Sequence, residues 1–179
     1  MIAATLGSIV TGLVNVVRAK GNTTRVELRP GDVAPDFELP GSDGCVYRLS
    51  QFRGREAVVL AWFPKAFTSG CAAECRSIHA SRSALRRFRA QYFGISVDTP
   101  ETNRRFAGAL GIEFPILSDP GGDVARAYGV LGISGVPARW TFYVAVDGRI
   151  ASIDKRVRVS SHGTDIETTL SDLSTTERA

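Results

Sequence analysis

Residues 57–63, AVVLAWF, are apolar without a break and lie between Glu56 and Pro64. A strand with no polar face has to be covered on both sides, so this run predicts a central strand between two layers. A second run, YFGISVD from Tyr92 to Asp98, repeats the signal. Between them Ile78, Leu85, Phe88 and Tyr92 fall on one helical stripe among arginines.

The remaining chain punctuates in the same way. A short strand is expected at 26–28 with a turn at Pro30-Gly31, and Phe37–Leu39 and Val46–Leu49 flank the hairpin turn PGSDG. Thr99 as a cap, Pro100 at the first helical position and Gly111 at the end bracket a helix. FPILSD reads as a strand, GDVARAYGV as a short helix, RWTFYVAVDGRIASIDK as a hairpin turning at Asp147-Gly148, and GTDIETTLSDL as a closing helix. After Leu173 a polar tail is expected to fray. Strands alternating with helices and ending in a hairpin predict an α/β domain whose central mixed sheet is flanked by helices.

At 179 residues the chain suits one such domain, residues 25–179, after an extension at 1–24. Within the extension, Ile2, Leu6, Ile9, Leu13 and Val17 recur at helical spacing in an uncharged stretch. That stretch is shorter than the roughly 20 residues of a spanning helix, and no basic residue precedes it as in a signal peptide. An amphipathic helix docked on the domain or on a sister subunit is the first reading; weak membrane association through residues 2–17 is the alternative. Monomer and homodimer both stay open.

Charge narrows the partners. A formal net charge of +4 is too small for a nucleic-acid footprint. The densest basic run, Arg82 to Arg89, reads as a solvated helix face. Three cysteines, Cys45, Cys71 and Cys75, are an odd set for a secreted disulfide framework, which points to a reducing, cytoplasmic setting.

The clustered pair carries the chemistry. If a helix starts near Gly70, Cys71 lies in its first turn, where unpaired N–H groups and the positive dipole end favour thiolate. Thr68 and Ser69 can cap that helix, and either hydroxyl can donate to the sulfur or to an incoming oxygen. A cysteine in this context, taken alone, is as well explained as a small buried hydrophobe.

The stretch from Arg29 to Glu74, containing FPKAFTSGCAAE, resembles a peroxiredoxin of the bacterioferritin-comigratory or peroxiredoxin Q type. The family's Pro-x-x-x-Thr-x-x-Cys pattern falls on Pro64, Thr68 and Cys71, with Glu74 at the acid three positions on. GVPARWTFYVAVDGRI resembles the segment bearing the family's active-site arginine, here Arg139, and SSHGTDIE fits as well. The resemblance implies a thioredoxin-like fold and a thiol-dependent peroxidase that reduces hydrogen peroxide and small organic hydroperoxides without metal, haem or flavin. It also implies thioredoxin or a similar dithiol protein as reductant. In that scheme Cys71 attacks peroxide and becomes a sulfenic acid, Arg139 donates to sulfur and peroxide, and Thr68 orients the peroxide. The N–H groups of Gly70 and Cys71 hold oxygen, and Pro64 shields the sulfur.

The family's resolving cysteine usually lies five positions after the attacking one, where this chain has Arg76. Cys75 is the candidate instead. Helical residues four apart have Cβ atoms about 5 to 6 Å apart, whereas a disulfide needs about 3.5 to 4.5 Å, so pairing requires the first turn to unwind. An external thiol, another chain or Cys45 are the other routes. Trp62, Phe67 and Trp140 read first as core, with a pocket wall as the alternative.

Two rival classes remain. The spacing C-x-x-x-C also occurs in thioredoxin-fold copper carriers, but the histidine such proteins place before the late strand is lacking in GISGVPAR. His79 and His162 both read as surface residues. An inactive docking module is the third class, against which Thr68, Cys71 and Arg139 argue.

Overall fold

The computed structural model describes residues 26–176; the calls on residues 2–17, and the whole extension at 1–24, lie outside them. β1 (Glu38–Pro40) and β2 (Val46–Arg48) form an antiparallel hairpin. β3 (Ala57–Trp62) leads into α1 (Ser69–Ala80) and α2 (Arg82–Leu85), and the chain returns as β4 (Ala90–Ser96). Then follow α3 (Pro100–Leu110), β5 (Ile116–Ser118), α4 (Asp123–Ala127), β6 (Thr141–Val144), β7 (Ile150–Asp154) and α5 (His162–Thr176).

The main sheet has the order β5-β4-β3-β6-β7, so AVVLAWF is its middle strand. β3, β4 and β5 run parallel, while β6 and β7 pair antiparallel, which gives the expected mixed sheet. The two-residue period of β3 sends Val58, Leu60 and Trp62 to one face and Val59 and Ala61 to the other. The first face packs beneath Phe37, Leu39, Tyr128 and Val130, the second beneath Ile78, Leu85, Ile166 and Leu170 of the helices. Each large side chain fully covered in this way contributes about 1.5–3 kcal/mol.

Three expectations need correction. Residues 26–28 form no strand: Val26 is exposed and Leu28 only packs against the first face. That segment instead runs against Gly129, where a Cβ would stand 2.0 Å from the Val26 carbonyl oxygen, so glycine is required there both by contact and by its φ of +68°. Ile78, Leu85, Phe88 and Tyr92 do pack in one cluster, yet not from one helix. The helix breaks at Ser81, and parallel pairing of Ala90 with Ala57 draws Tyr92 into β4. α5 continues through Thr176, past the Leu173 at which the closing helix is expected to end; residues 177–179 of the tail lie outside the described residues.

The expected helix at 100–110 is present with its ends intact. Thr99 Oγ1 accepts from the Thr102 N–H, and Gly111 closes the helix at φ 62°.

Candidate active site

β3 delivers the chain to one end of the sheet, and the loop from Phe63 to Thr68 turns it into α1. Two bonds pin this loop: the Phe63 N–H donates to the Ile95 carbonyl at 3.0 Å, and the Ala66 N–H to Asp98 Oδ2 at 2.7 Å. Asp98 is in turn held through its own N–H, which donates to Ser96 Oγ at 3.2 Å beside the buried Asn103. Phe67 takes a φ of 61°, costly for a side chain with a Cβ, and its ring rests on Phe106 with centroids 5.2 Å apart. It is 55% exposed, so its reading as core is corrected. Trp62 is core, and Trp140 is half-buried against the same face.

Thr68 is the N-cap of α1 by backbone conformation, but its hydroxyl donates to the Lys65 carbonyl at 3.0 Å instead of capping. Neither Thr68 nor Ser69 supplies a side-chain cap bond, because the tight Lys65–Thr68 turn takes the threonine hydroxyl. The first intrahelical bond runs from Ala72 N–H to the Thr68 carbonyl at 2.9 Å. The N–H groups of Gly70 and Cys71 come before that bond and have no carbonyl to meet within the helix.

Cys71 is 1% exposed. Arg139, from the extended segment before β6, donates through Nη2 to Cys71 Sγ at 3.3 Å. Residues separated by 68 positions are thereby joined. Its segment is fixed by the Ala138 N–H bond to the Val130 carbonyl at 2.8 Å and by the Trp62 N–H bond to the Trp140 carbonyl at 2.9 Å. The guanidinium passes close to the helix start: a Cβ on Gly70 would lie 3.5 Å from Nη2, an ordinary contact distance. Pro64 sits half-buried in the same loop. Cys71 and Arg139 are thus joined directly, and Pro64, Thr68 and Gly70 belong to the loop and first turn that lead to Cys71.

The other nitrogen of Arg139, Nη1, donates to Glu74 Oε2, an ion pair whose carboxylate is 1% exposed. Burying a carboxylate without a partner is prohibitive, and Arg139 supplies the partner. Behind Glu74 lies His162, fully buried at the start of α5 with Nδ1 3.1 Å from Glu74 Oε1. Burial pushes the ring's pKa down to about 4, with Arg139 adding to the effect and Asp154 and Asp165 opposing it. His162 is thus corrected from a surface residue to a core one. Its position was legible: His162, Ile166 and Leu170 recur four apart on the stripe that α5 buries. Asp98 carried no comparable signal, because its bond to Ala66 crosses 32 residues.

Cys75 lies one turn behind Cys71, 1% exposed among Phe63, Phe106 and Ile116. Burial, and then the charge of Cys71, push its thiol up to about 12. Cys45 is exposed on the hairpin turn, its N–H held by Asp43 Oδ1 at 3.1 Å, and takes part in none of the site's contacts. His79 Nδ1 accepts the Glu113 N–H at 3.4 Å. Among the described residues no three His, Cys, Asp or Glu side chains gather as metal ligands would, and Cys71 faces a guanidinium instead of the imidazole that a copper carrier would need.

The AhpC/TSA family model matches residues 30–153. A Mycobacterium tuberculosis chain, Rv2521, whose name places it among the peroxiredoxins, is 35% identical over 148 residues, which is 78% of this chain and 93% of that one. Peroxiredoxin Bcp of Escherichia coli is 32% identical over 142 residues, covering 75% of this chain and 90% of its own. Among solved structures, peroxidoxin BcpB from Mycobacterium tuberculosis superposes with a TM-score of 0.75 at 30% identity, over 82% of this chain and 98% of that one.

Proposed function

The chain belongs to the AhpC/TSA family of peroxiredoxins and is a thiol-dependent peroxidase; we propose that Cys71 is its peroxidatic cysteine, that Arg139, Thr68, Gly70 and Pro64 form the peroxide site, and that Cys75 resolves the product. The observation that carries the assignment is the donation from Arg139 Nη2 to Cys71 Sγ at 3.3 Å.

The reaction is an in-line displacement. The Cys71 thiolate attacks one oxygen of the hydroperoxide, the S–O bond forms as the O–O bond breaks, and the departing hydroxide or alkoxide takes up a proton. Negative charge therefore moves from sulfur to the leaving oxygen. The guanidinium lies beside the starting point of that charge, and the N–H groups of Gly70 and Cys71 lie at the helix start where it passes. Thr68 orients the peroxide: its hydroxyl gives its hydrogen to the Lys65 carbonyl and so offers lone pairs to the peroxide O–H. Pro64, half-buried in the loop, keeps water off the sulfur.

The product is a sulfenic acid on Cys71. Cys75 attacks that sulfur, water leaves, and a disulfide forms, after which a thioredoxin-type dithiol returns both sulfurs to thiols. Because Cys75 is buried with its thiol pushed up to about 12, it becomes nucleophilic only when the first turn of α1 opens. Exposed Thr68 and Ser69 mark the end from which that turn can peel. An external thiol takes over if the turn stays closed. The enzyme works in a reducing, cytoplasmic setting.

Thioredoxin-coupled peroxide consumption tests the assignment. It proceeds in the wild type and stops in Cys71→Ser; turnover retained by that variant overturns the assignment.

A further inference from the structure

Arg139 binds Glu74 through one nitrogen only, and the reason lies on the far side of the carboxylate. Guanidinium and carboxylate favour a two-pronged pairing in which both nitrogens meet both oxygens. Here Nη1 meets Glu74 Oε2 while Nη2 is turned to Cys71 Sγ at 3.3 Å. The second oxygen, Oε1, is 3.1 Å from His162 Nδ1. The two atoms are off the line of a straight hydrogen bond, yet among the described residues neither has another partner, and both residues are buried to within 1%. On its other side His162 Nε2 is 2.8 Å from Thr141 Oγ1 on β6.

This layout sets the tautomer. A ring nitrogen facing a carboxylate carries the hydrogen, so Nδ1 is the N–H and Nε2 accepts from the threonine hydroxyl. The charged groups around the ring are Glu74 from α1, Arg139 from the segment before β6, Asp154 from β7 and Asp165 on α5 itself. Burial, with Arg139 adding to it and Asp154 and Asp165 opposing it, pushes the ring's pKa down to about 4, so the ring stands 3.1 Å from Oε1 without adding a cation that would compete with Arg139.

We propose that His162 is a positioning residue of the peroxidatic centre: by occupying Glu74 Oε1 it confines Arg139 to a single-nitrogen bond with Glu74 and so leaves Nη2 for the Cys71 sulfur. The inference rests on the reading of Cys71 as the peroxidatic cysteine. Without the imidazole, the buried Oε1, which makes no straight hydrogen bond as it stands, also loses the ring nitrogen at 3.1 Å, and Nη2 of Arg139, in the same ion pair, is a donor able to satisfy it. Swinging there, the guanidinium completes its fork with Glu74 and deserts the sulfur.

Two substitutions separate this role from mere packing. The amide nitrogen of asparagine falls near the place of Nδ1 and that of glutamine near Nε2, so His162→Asn keeps a donor for Glu74 while His162→Gln keeps only the contact with Thr141. The readouts are site-resolved alkylation of Cys71 as a function of pH and the stopped-flow rate of its oxidation by hydrogen peroxide. His162→Gln is expected to move the alkylation profile to higher pH and to slow oxidation by about tenfold, with His162→Asn close to wild type. Adding Glu74→Gln to His162→Gln is expected to bring the profile back down, since a neutral amide does not draw off the second nitrogen. Two variants with one and the same profile, or a double variant without recovery, overturn the proposal. Peroxide turnover surviving in Cys71→Ser instead defeats the reading on which it rests.

Discussion

Arg139 and Cys71 meet at 3.3 Å although 68 positions separate them, and the meeting depends on β6 lying next to β3. β3 ends immediately before the loop that presents the sulfur, and the guanidinium arrives on the segment leading into the strand paired with it. Register between two strands thus becomes geometry at one atom.

Replacing Arg139 by lysine keeps the charge but removes the fork, so one ammonium has to choose between Glu74 and the sulfur. Oxidation of Cys71 by hydrogen peroxide should slow by about 100-fold, the scale of losing one oriented donor to developing charge. Stopped-flow tryptophan fluorescence measures it, and a rate within twofold of wild type contradicts the assigned role.

Acid should weaken the fold through His162. Its ring is neutral in the native state down to about pH 4 but takes a proton in the unfolded chain below about 6.5. The unfolded state therefore binds more protons between those values: stability is full above 6.5 and falls as pH drops towards 4, by roughly 3 kcal/mol in all. Urea midpoints across this window should decline less steeply in His162→Gln than in wild type. Parallel declines would show that the ring is not the group responsible.

Asp98→Ala removes the acceptor of the Ala66 N–H. The loop carrying Phe67 in its φ of 61° then loses a tie that offsets its strain. A stability loss of about 1–3 kcal/mol is expected, with peroxidase activity falling further than stability accounts for at a temperature where the variant stays folded. Hydrogen exchange should rise at residues 65–68. Unaltered exchange there contradicts the anchoring role.

A side chain at position 163 should part α1 from α5. A Cβ on Gly163 would stand 2.3 Å from the Ser77 carbonyl oxygen and 2.4 Å from Ser81 Oγ, and backbone at that distance cannot give way cheaply. Gly163→Ala is expected to cost about 1–3 kcal/mol, read as a lower thermal midpoint. An unchanged midpoint would mean that the two helices pack less closely than described.

Much of this was open to a reader of the sequence alone, for physical reasons that differ by element. AVVLAWF could only be a covered central strand, and Thr99, Pro100 and Gly111 bracket α3 by local chemistry. The sulfur, the arginine and the threonine follow from spaced motifs. What escaped was set by tertiary contact: the break at Ser81 where α5 crosses, the Thr68 hydroxyl turned to Lys65 instead of capping, and Asp98 reaching the loop from beyond β4. His162 lay between these cases, its stripe visible but its carboxylate partner 88 positions away by their residue numbers, 162 − 74.

The central claim is that the sulfur of Cys71 is the atom oxidised by peroxide. Mass spectrometry of the protein after one equivalent of hydrogen peroxide and trapping with dimedone addresses it directly. The account predicts the sulfenic-acid adduct on Cys71, with yield rising when Cys75 is replaced by serine and can no longer compete. An adduct confined to Cys45 or Cys75, with Cys71 recovered as free thiol, would contradict it.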